Sequence, residues 1–309
     1  MERPLISFII AYYNLPTSML NDCIASILAL SLQPCEREII VVDDGSNQSP
    51  LNDPKSYTSN ILYIRQSHQG LSEARNAGIQ MATGSYLQFV DADDRLLCEP
   101  YNYCLSIVRT KQPEMILFHH IGKVSNAKVN YTVRAPQSGS HYMRHHNIHG
   151  SACGYLFSRA ILGDLRFTSG ICHEDEEFTP LLLLRAEHLI VTNAPAYLYQ
   201  QRPGSITTGT NIRQRLQRLN DAQGIILRLS TLADRLPLKD RQALQRRVDQ
   251  LTMDYLYNII RLTHSRHYLQ RKMVQLRIAG LYPLPARFYT FKYLLFRQLF
   301  TIYSSLFTS

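Results

Sequence analysis

Three short apolar runs, each passing without a spacer into a polar cluster, restrict how this chain can fold more than any other feature. Leu5–Ala11 (LISFIIA) runs into Tyr12-Tyr13-Asn14, Glu38–Val42 (EIIVV) into Asp43-Asp44-Gly45-Ser46, and Tyr86–Val90 (YLQFV) into Asp91-Ala92-Asp93-Asp94. Continuous Ile- and Val-rich runs without polar alternation read as strands buried on both faces, which implies a largely parallel sheet covered by helices. The intervening segments supply those helices. Met19, Leu20, Cys23, Ile24, Ile27 and Leu28 form one stripe after Thr17 or Ser18 as a cap, and Ser72–Ala82 reads as a second helix closed by Gly84. Ile61–Arg65 reads as a further strand. The expected class is α/β, and in such sheets ligands bind beyond the carboxyl ends of the strands, where the three polar clusters can converge.

Charge divides the 309 residues in two. Residues 1–205 carry 16 basic and 19 acidic groups, net −3, whereas residues 206–309 carry 17 and 5, net +12. The second part reads as long helices over Arg213–Leu229, Lys239–Leu262 and Tyr268–Ala279, with Pro203-Gly204 as the joint. Six Cys form no CxxC pair and no zinc spacing, and Met1-Glu2-Arg3-Pro4 leads straight into the first strand without signal-peptide architecture. A reduced, cytoplasmic chain is expected, and no stretch approaches the ~20 apolar residues of a membrane span.

Each polar cluster has a chemical and a structural reading. Asp91 and Asp93, one residue apart at a strand end, can hold a hard divalent cation together with phosphate oxygens, or be a solvated turn. Asp43-Asp44-Gly45-Ser46 can accept a nucleobase N–H beside a stacking Tyr13, or be a β-turn. Arg75 and Asn76 lie on a helix among small residues, suited to a phosphate or to an ion pair with a nearby Asp. His173-Glu174-Asp175-Glu176-Glu177 supplies carboxylates able to deprotonate a hydroxyl, although Glu176 and Glu177 read as an ordinary acidic helix start. Arg202, beside a glycine, reads as part of a lid over a phosphate or as linker. The cluster His145-His146-Asn147-Ile148-His149 lacks metal-ligand spacing, and Cys153 reads as a small buried residue.

In order, Ile6–Asn14, Glu38–Ser46, Gln69–Gly78 (QGLSEARNAG) and Ala82–Asp94 (ATGSYLQFVDADD) resemble the family 2 inverting glycosyltransferases of the bacterial surface-polysaccharide type. Glu174-Asp175 and Arg202–Ile206 resemble the family's later motifs, so the likeness spans about two thirds of the chain. Ala11 stands where the family usually has Pro, and Gln48 where it has an acid. The resemblance implies a GT-A fold and a nucleotide-diphosphate-sugar donor, UDP-sugar favoured. It implies Tyr13 and Asp43 at the base, Asn14 and Asp44 elsewhere among the nucleotide-sugar-binding residues, Arg75 near the nucleotide or diphosphate, Arg202 at the diphosphate, Asp91 near the ribose or donor sugar, and Asp93 on Mn²⁺ or Mg²⁺. Asp175 is then the general base and Glu174 its nearest rival, with a surface glycan or lipid-linked acceptor. The alternative from another class is a non-catalytic sugar-nucleotide or glycan-binding module.

The basic tail offers two further readings. Over Phe288–Ser309, Thr290, Arg297, Thr301, Ser304 and Thr308 form a narrow polar face, against a wide face of Phe291, Leu295, Phe296, Leu299, Phe300, Ile302, Tyr303, Leu306 and Phe307. Such a helix lies in a membrane interface on the inner leaflet, or docks on its own domain or on a second subunit in a homo-oligomer. No nucleic-acid motif accompanies the charge.

Overall fold

The computed structural model describes residues 3–50, 61–124, 130–200 and 211–305. The expected runs are strands: β1 (Ile6–Tyr12), β2 (Arg37–Asp43), β3 (Ile61–Arg65) and β4 (Tyr86–Asp91). They pair in parallel, β3-β2-β1-β4, and Tyr12 stands in register with Asp43 and Ala11 with Asp91. β1, β2 and β4 each extend one residue beyond the apolar run, so their first polar residue belongs to the strand end. Two short strands follow, β5 (Arg95–Leu96) and β6 (Met115–Leu117), then β7 (His120–Ile121), β8 (Tyr155–Ser158), β9 (Leu189–Val191) and β10 (Tyr197–Leu198). The main sheet has seven strands in the order β3-β2-β1-β4-β8-β6-β9 and is mostly parallel; β8 runs antiparallel to both its neighbours. β5, β10 and β7 form a small second sheet beside the end of β4.

Helices α1 (Thr17–Leu28), α2 (Leu71–Met81) and α3 (Cys98–Lys111) connect the first strands, followed by α4 (Gly139–His145), α5 (Arg159–Leu162) and α6 (Asp175–Leu184). Neither Thr17 nor Ser18 caps α1: Pro16 occupies the cap position, with its fixed φ preparing the first turn. Small residues bring α2 onto the sheet. A Cβ on Gly78 would lie 2.2 Å from Cγ2 of Ile9 in β1, so only glycine permits this approach.

Two compact units divide the chain: residues 1–139 with 150–205, and residues 140–149 with 206–309. The second unit contains α7 (Ile212–Ala233), α8 (Leu238–Thr263), α9 (Arg266–Ile278) and α10 (Phe291–Ser305). Asn211 and Ser265 cap α7 and α9 by accepting the N–H groups of Arg213 (2.9 Å) and Tyr268 (3.2 Å). The joint expected at Pro203-Gly204 lies outside the described residues.

The strap of residues 140–149 enters the helical unit through buried arginines of α8. Arg246 donates to the Arg144 carbonyl (2.7 Å) and to Asn147 Oδ1 (3.0 Å), with its guanidinium 4.9 Å from the Tyr289 ring. Arg247 donates to the Ile148 carbonyl at 2.8 Å. Ser140–His149 thus groups with the helices and Gly150 onward with the sheet.

Candidate active site

At the carboxyl ends of β1 and β2, side chains tie the turns together. Asn14 adopts a left-handed conformation (φ 47°), its N–H donates to Ser46 Oγ (2.9 Å), and its Oδ1 accepts the Asn47 N–H (2.8 Å). Asp43 is fully buried; Oδ1 accepts the Ser46 N–H (2.8 Å) and Oδ2 the Tyr63 hydroxyl (2.6 Å), with Arg65 Nε at 3.7 Å. Asp44, also buried, accepts the backbone N–H groups of Gln69 (2.9 Å) and Gly70 (2.8 Å) and the Gln66 amide (2.7 Å), and lies 2.8 Å from His68 Nδ1. Both carboxylates thus brace their turns from below. The rim above is aromatic: Tyr13, 42% exposed, stacks on His68 at 4.1 Å between ring centroids and 15° between planes. His68 carried no motif in the sequence, and its place depends on the Asp44 bonds that fold residues 66–70.

At the end of β4 the Asp-rich turn closes through the Asp94 N–H donating to the Asp91 carbonyl (2.9 Å). Asp94 is buried and accepts the Tyr197 hydroxyl (2.7 Å) and the Gln200 N–H (2.8 Å); burial, then the charge of Asp91, pushes its carboxyl up to about 7. Tyr197, 103 residues from Asp94, also accepts the Asp91 N–H at 3.1 Å. Asp91 and Asp93 retain partial exposure beside this brace.

Arg75 links the turn to α6. It donates to Asp91 Oδ1 (2.9 Å) and to Glu174 Oε1 (2.7 Å) and is itself buried, with its guanidinium 5.3 Å from the Phe167 ring centroid. Burial opposes its charge, yet Asp91 and Glu174 outweigh that and hold the group above the usual arginine range. Of the two sequence readings of Arg75, the ion pair is the one present. Asn76, next on α2, holds Phe167 through reciprocal bonds to its N–H and carbonyl (both 2.9 Å).

Glu174 is the cap residue of α6 and Asp175 its first residue. Burial, followed by repulsion from Glu174, raises the Asp175 carboxyl to about 7, with Arg75 acting against the rise and Asp91 adding to it. Glu177 is held by the Thr168 hydroxyl (2.8 Å), and Gly150 lies so close to Glu176 that a Cβ would meet its carboxyl at 2.3 Å. Both therefore serve the packing of the helix start. Cys153 is buried, and burial drives its thiol well above the usual range, which leaves it inert as a nucleophile. Arg202 lies outside the described residues.

Among the described residues no group of three or more His, Cys, Asp or Glu side chains is arranged to hold a metal ion. An all-protein cage is thus missing there, whereas Mg²⁺ and Mn²⁺ sites commonly use one or two carboxylates plus substrate phosphates. In the Asp-rich turn, one oxygen of Asp91 is on Arg75 and Asp94 is buried in its own bonds, while Asp93 is half-buried.

The model of the family described as "Glycosyl transferase family 2" matches residues 7–128. That span is similar to a family 2 glycosyltransferase domain. It contains Tyr13, Asn14, both Asp43 and Asp44, Arg75 and the Asp91–Asp94 turn, while Glu174 and Asp175 lie beyond the matched span. Glycosyltransferase GlyA of Streptococcus pneumoniae is 28% identical over 221 residues, which cover 65% of this chain but 31% of GlyA. The match thus spans about a third of that relative's length. S. aureus TarS, solved in complex with UDP-GlcNAc, superposes with a TM-score of 0.62 at 18% identity over 89% of this chain and 78% of TarS. A mannosyltransferase from Pyrobaculum calidifontis, solved with GDP-Man and Mn²⁺, gives 0.55 at 13% identity over 98% and 88%. These likenesses establish the fold as GT-A-like.

Proposed function

We propose that the chain transfers a sugar from a nucleotide-diphosphate sugar, UDP-sugar favoured, to a hydroxyl of a surface glycan or lipid-linked oligosaccharide, with inversion. The observation that carries this reading is the position of Asp175, a carboxyl raised to about 7 in a charge cluster with Glu174, Arg75 and Asp91. A base acting near neutral pH needs such a value, and burial among like charges is the ordinary way to obtain it. Glu174 is the weaker rival, because its Oε1 already accepts from Arg75.

In this reading Asp175 takes the proton of the acceptor hydroxyl as its oxygen bonds to the anomeric carbon. The bond from that carbon to the diphosphate oxygen breaks on the opposite face, and its electron pair leaves with the nucleotide. One displacement of this kind inverts the anomeric centre. Tyr13, with His68 behind it, is the stacking platform for the base, and Asn14 fixes the turn that presents it. Asp43 retains acceptor capacity beside its Ser46 and Tyr63 bonds, but it is fully buried, so a contact with a uracil N–H requires the turn above it to open. Asp44 holds the 66–70 turn, and Arg75 positions Asp91 toward the donor and Glu174 toward α6. Asp93 would hold Mn²⁺ or Mg²⁺, which when bound supplies charge neutralisation to the departing diphosphate, with Arg202 adding to it. Among the described residues no helix is long and apolar enough to cross a membrane.

The test is Asp175→Asn assayed for nucleotide diphosphate release with UDP-sugars and acceptor. A general base contributes about 10²–10⁴-fold, so kcat falls by that factor while UDP-induced thermal stabilisation persists. Wild-type turnover in this variant overturns the assignment. UDP binding without turnover in the wild type, across donors and acceptors, returns the binding-module alternative.

A further inference from the structure

The terminal helix divides its residues otherwise than the hydropathy pattern alone suggests. Part of the face that reads as polar is turned inward: Arg297 Nε donates to the Leu284 carbonyl (3.0 Å), and Ser304 Oγ pairs with the Tyr282 hydroxyl (2.8 Å), while Thr301 stays exposed. Tyr293 and Phe300 are buried on the same side, Phe300 edge-on to Tyr282 at 6.0 Å. α10 is thus docked on its own unit. Phe291, Leu295, Leu299 and Ile302 project from the other side, between 44% and 72% exposed, with Phe288 just before the helix at 75%. At 100° per residue these four helix positions fall within an arc of about 80° that no polar side chain interrupts.

Docking therefore leaves a second apolar ridge exposed, flanked by cations that face two acids of α8: Arg287 bonds the Tyr289 hydroxyl, which donates to Asp249, and Lys292 lies in the field of Asp254. From Tyr255 to Ser309 the chain has eight Lys and Arg and no Asp or Glu. Lys292 borders the ridge and Arg287 precedes it, both exposed. Arg277, also exposed, places its guanidinium 5.6 Å from the Tyr282 ring, whose hydroxyl meets the last turn of α10. We propose that this ridge inserts into an anionic lipid surface, with Phe288, Phe291, Leu295, Leu299 and Ile302 entering the acyl boundary and Arg277, Arg287 and Lys292 contacting lipid phosphates. A convex single-helix ridge of large apolar residues edged by cations is the arrangement that binds in the plane of such an interface. A second copy is the poorer occupant. A two-fold pairing of ridges brings two regions of net +12 together, and with them two sets of Lys292 and Arg287. The proposal goes beyond the transfer chemistry and uses none of its residues.

Flotation of the full chain tests it, with vesicles of phosphatidylcholine alone and of phosphatidylcholine mixed with phosphatidylglycerol. The wild type floats with the anionic vesicles and is released by raised salt. Leu295→Asp combined with Leu299→Asp lowers the bound fraction at least about tenfold, and Arg287→Glu with Lys292→Glu weakens anionic binding selectively. Because Leu295 and Leu299 are exposed, melting temperature and UDP-induced stabilisation stay at wild-type values in the double aspartate variant, which separates failure here from failure of the transfer reading. Three results overturn the proposal: a wild type that stays in the aqueous layer, flotation that survives the double aspartate change, or a vesicle-free dimer that the same change dissolves.

Discussion

Replacing Arg75 with Met probes the fold and the site together. The guanidinium is buried between Glu174, at 2.7 Å and itself buried, and Asp91, at 2.9 Å with about a third of its side chain exposed. Removing one member of a buried ion pair leaves a stranded charge and costs about 3–5 kcal/mol. Most of that belongs to Glu174, because water screens Asp91. For a unit of nearly two hundred residues each kcal/mol moves the midpoint by about 2–4 °C, so Arg75→Met melts roughly 10 °C lower by calorimetry. Adding Glu174→Gln returns most of the loss, since the stranded carboxylate is gone. The site responds as well. Arg75 holds the Asp175 carboxyl down whereas Glu174 drives it up. The acidic limb of the pH–rate profile, near 7 in the wild type, therefore moves up in Arg75→Met and down in Glu174→Gln. A melting point within about 2 °C of wild type, or both limbs moving the same way, refutes this account of the cluster.

Asp175 also makes stability depend on pH. Its folded value, about 7, is above the unfolded one, so the folded state holds the extra proton and this group's contribution declines as pH rises from about 4 through about 7. Asp175→Asn accordingly melts above wild type at pH 8, with the gap closing toward pH 5; a gap independent of pH counts against the raised value. Gly78→Ala drives a methyl into Ile9, and overpacking of this kind costs about 1–3 kcal/mol, read as a lowered denaturant midpoint with unchanged slope. A neutral Gly78→Ala would mean that α2 is free to lift from the sheet.

The strands that carry the site were legible because uninterrupted apolar runs have few other uses, and β3 matches its expected span, Ile61–Arg65, residue for residue. Their last residues were not, since Tyr12, Asp43 and Asp91 look like loop yet pair within the sheet. The direction of β8 was hidden too: four residues, YLFS, fit either orientation, and only their neighbours decide it. Tyr13 directly after β1, Asp91 at the end of β4 and Asp175 at the start of α6 occupy the local positions that the sequence pattern marked. His68, Tyr197 and Asp94 act through partners distant in sequence, up to 106 residues for Tyr197 and Asp91, and local periodicity carries no information about such pairs. The Arg75 ion pair was one of two open readings, and local pattern does not mark its partners, 16 and 99 residues away.

The strap held by Arg246 and Arg247 makes the polypeptide cross between its two units three times, after residues 139, 149 and 205. A stop codon at 205 therefore does not excise a self-contained module. It strands ten residues whose carbonyls at Arg144 and Ile148 have lost their donors, inside a segment that must still connect α4 to the stretch packed on Glu176. Chimeras that exchange the helical part between related chains must move three junctions rather than one, and carry residues 140–149 along with α8. Variation in either stretch is thereby constrained by the other, so the two are expected to be inherited as a single unit of recombination.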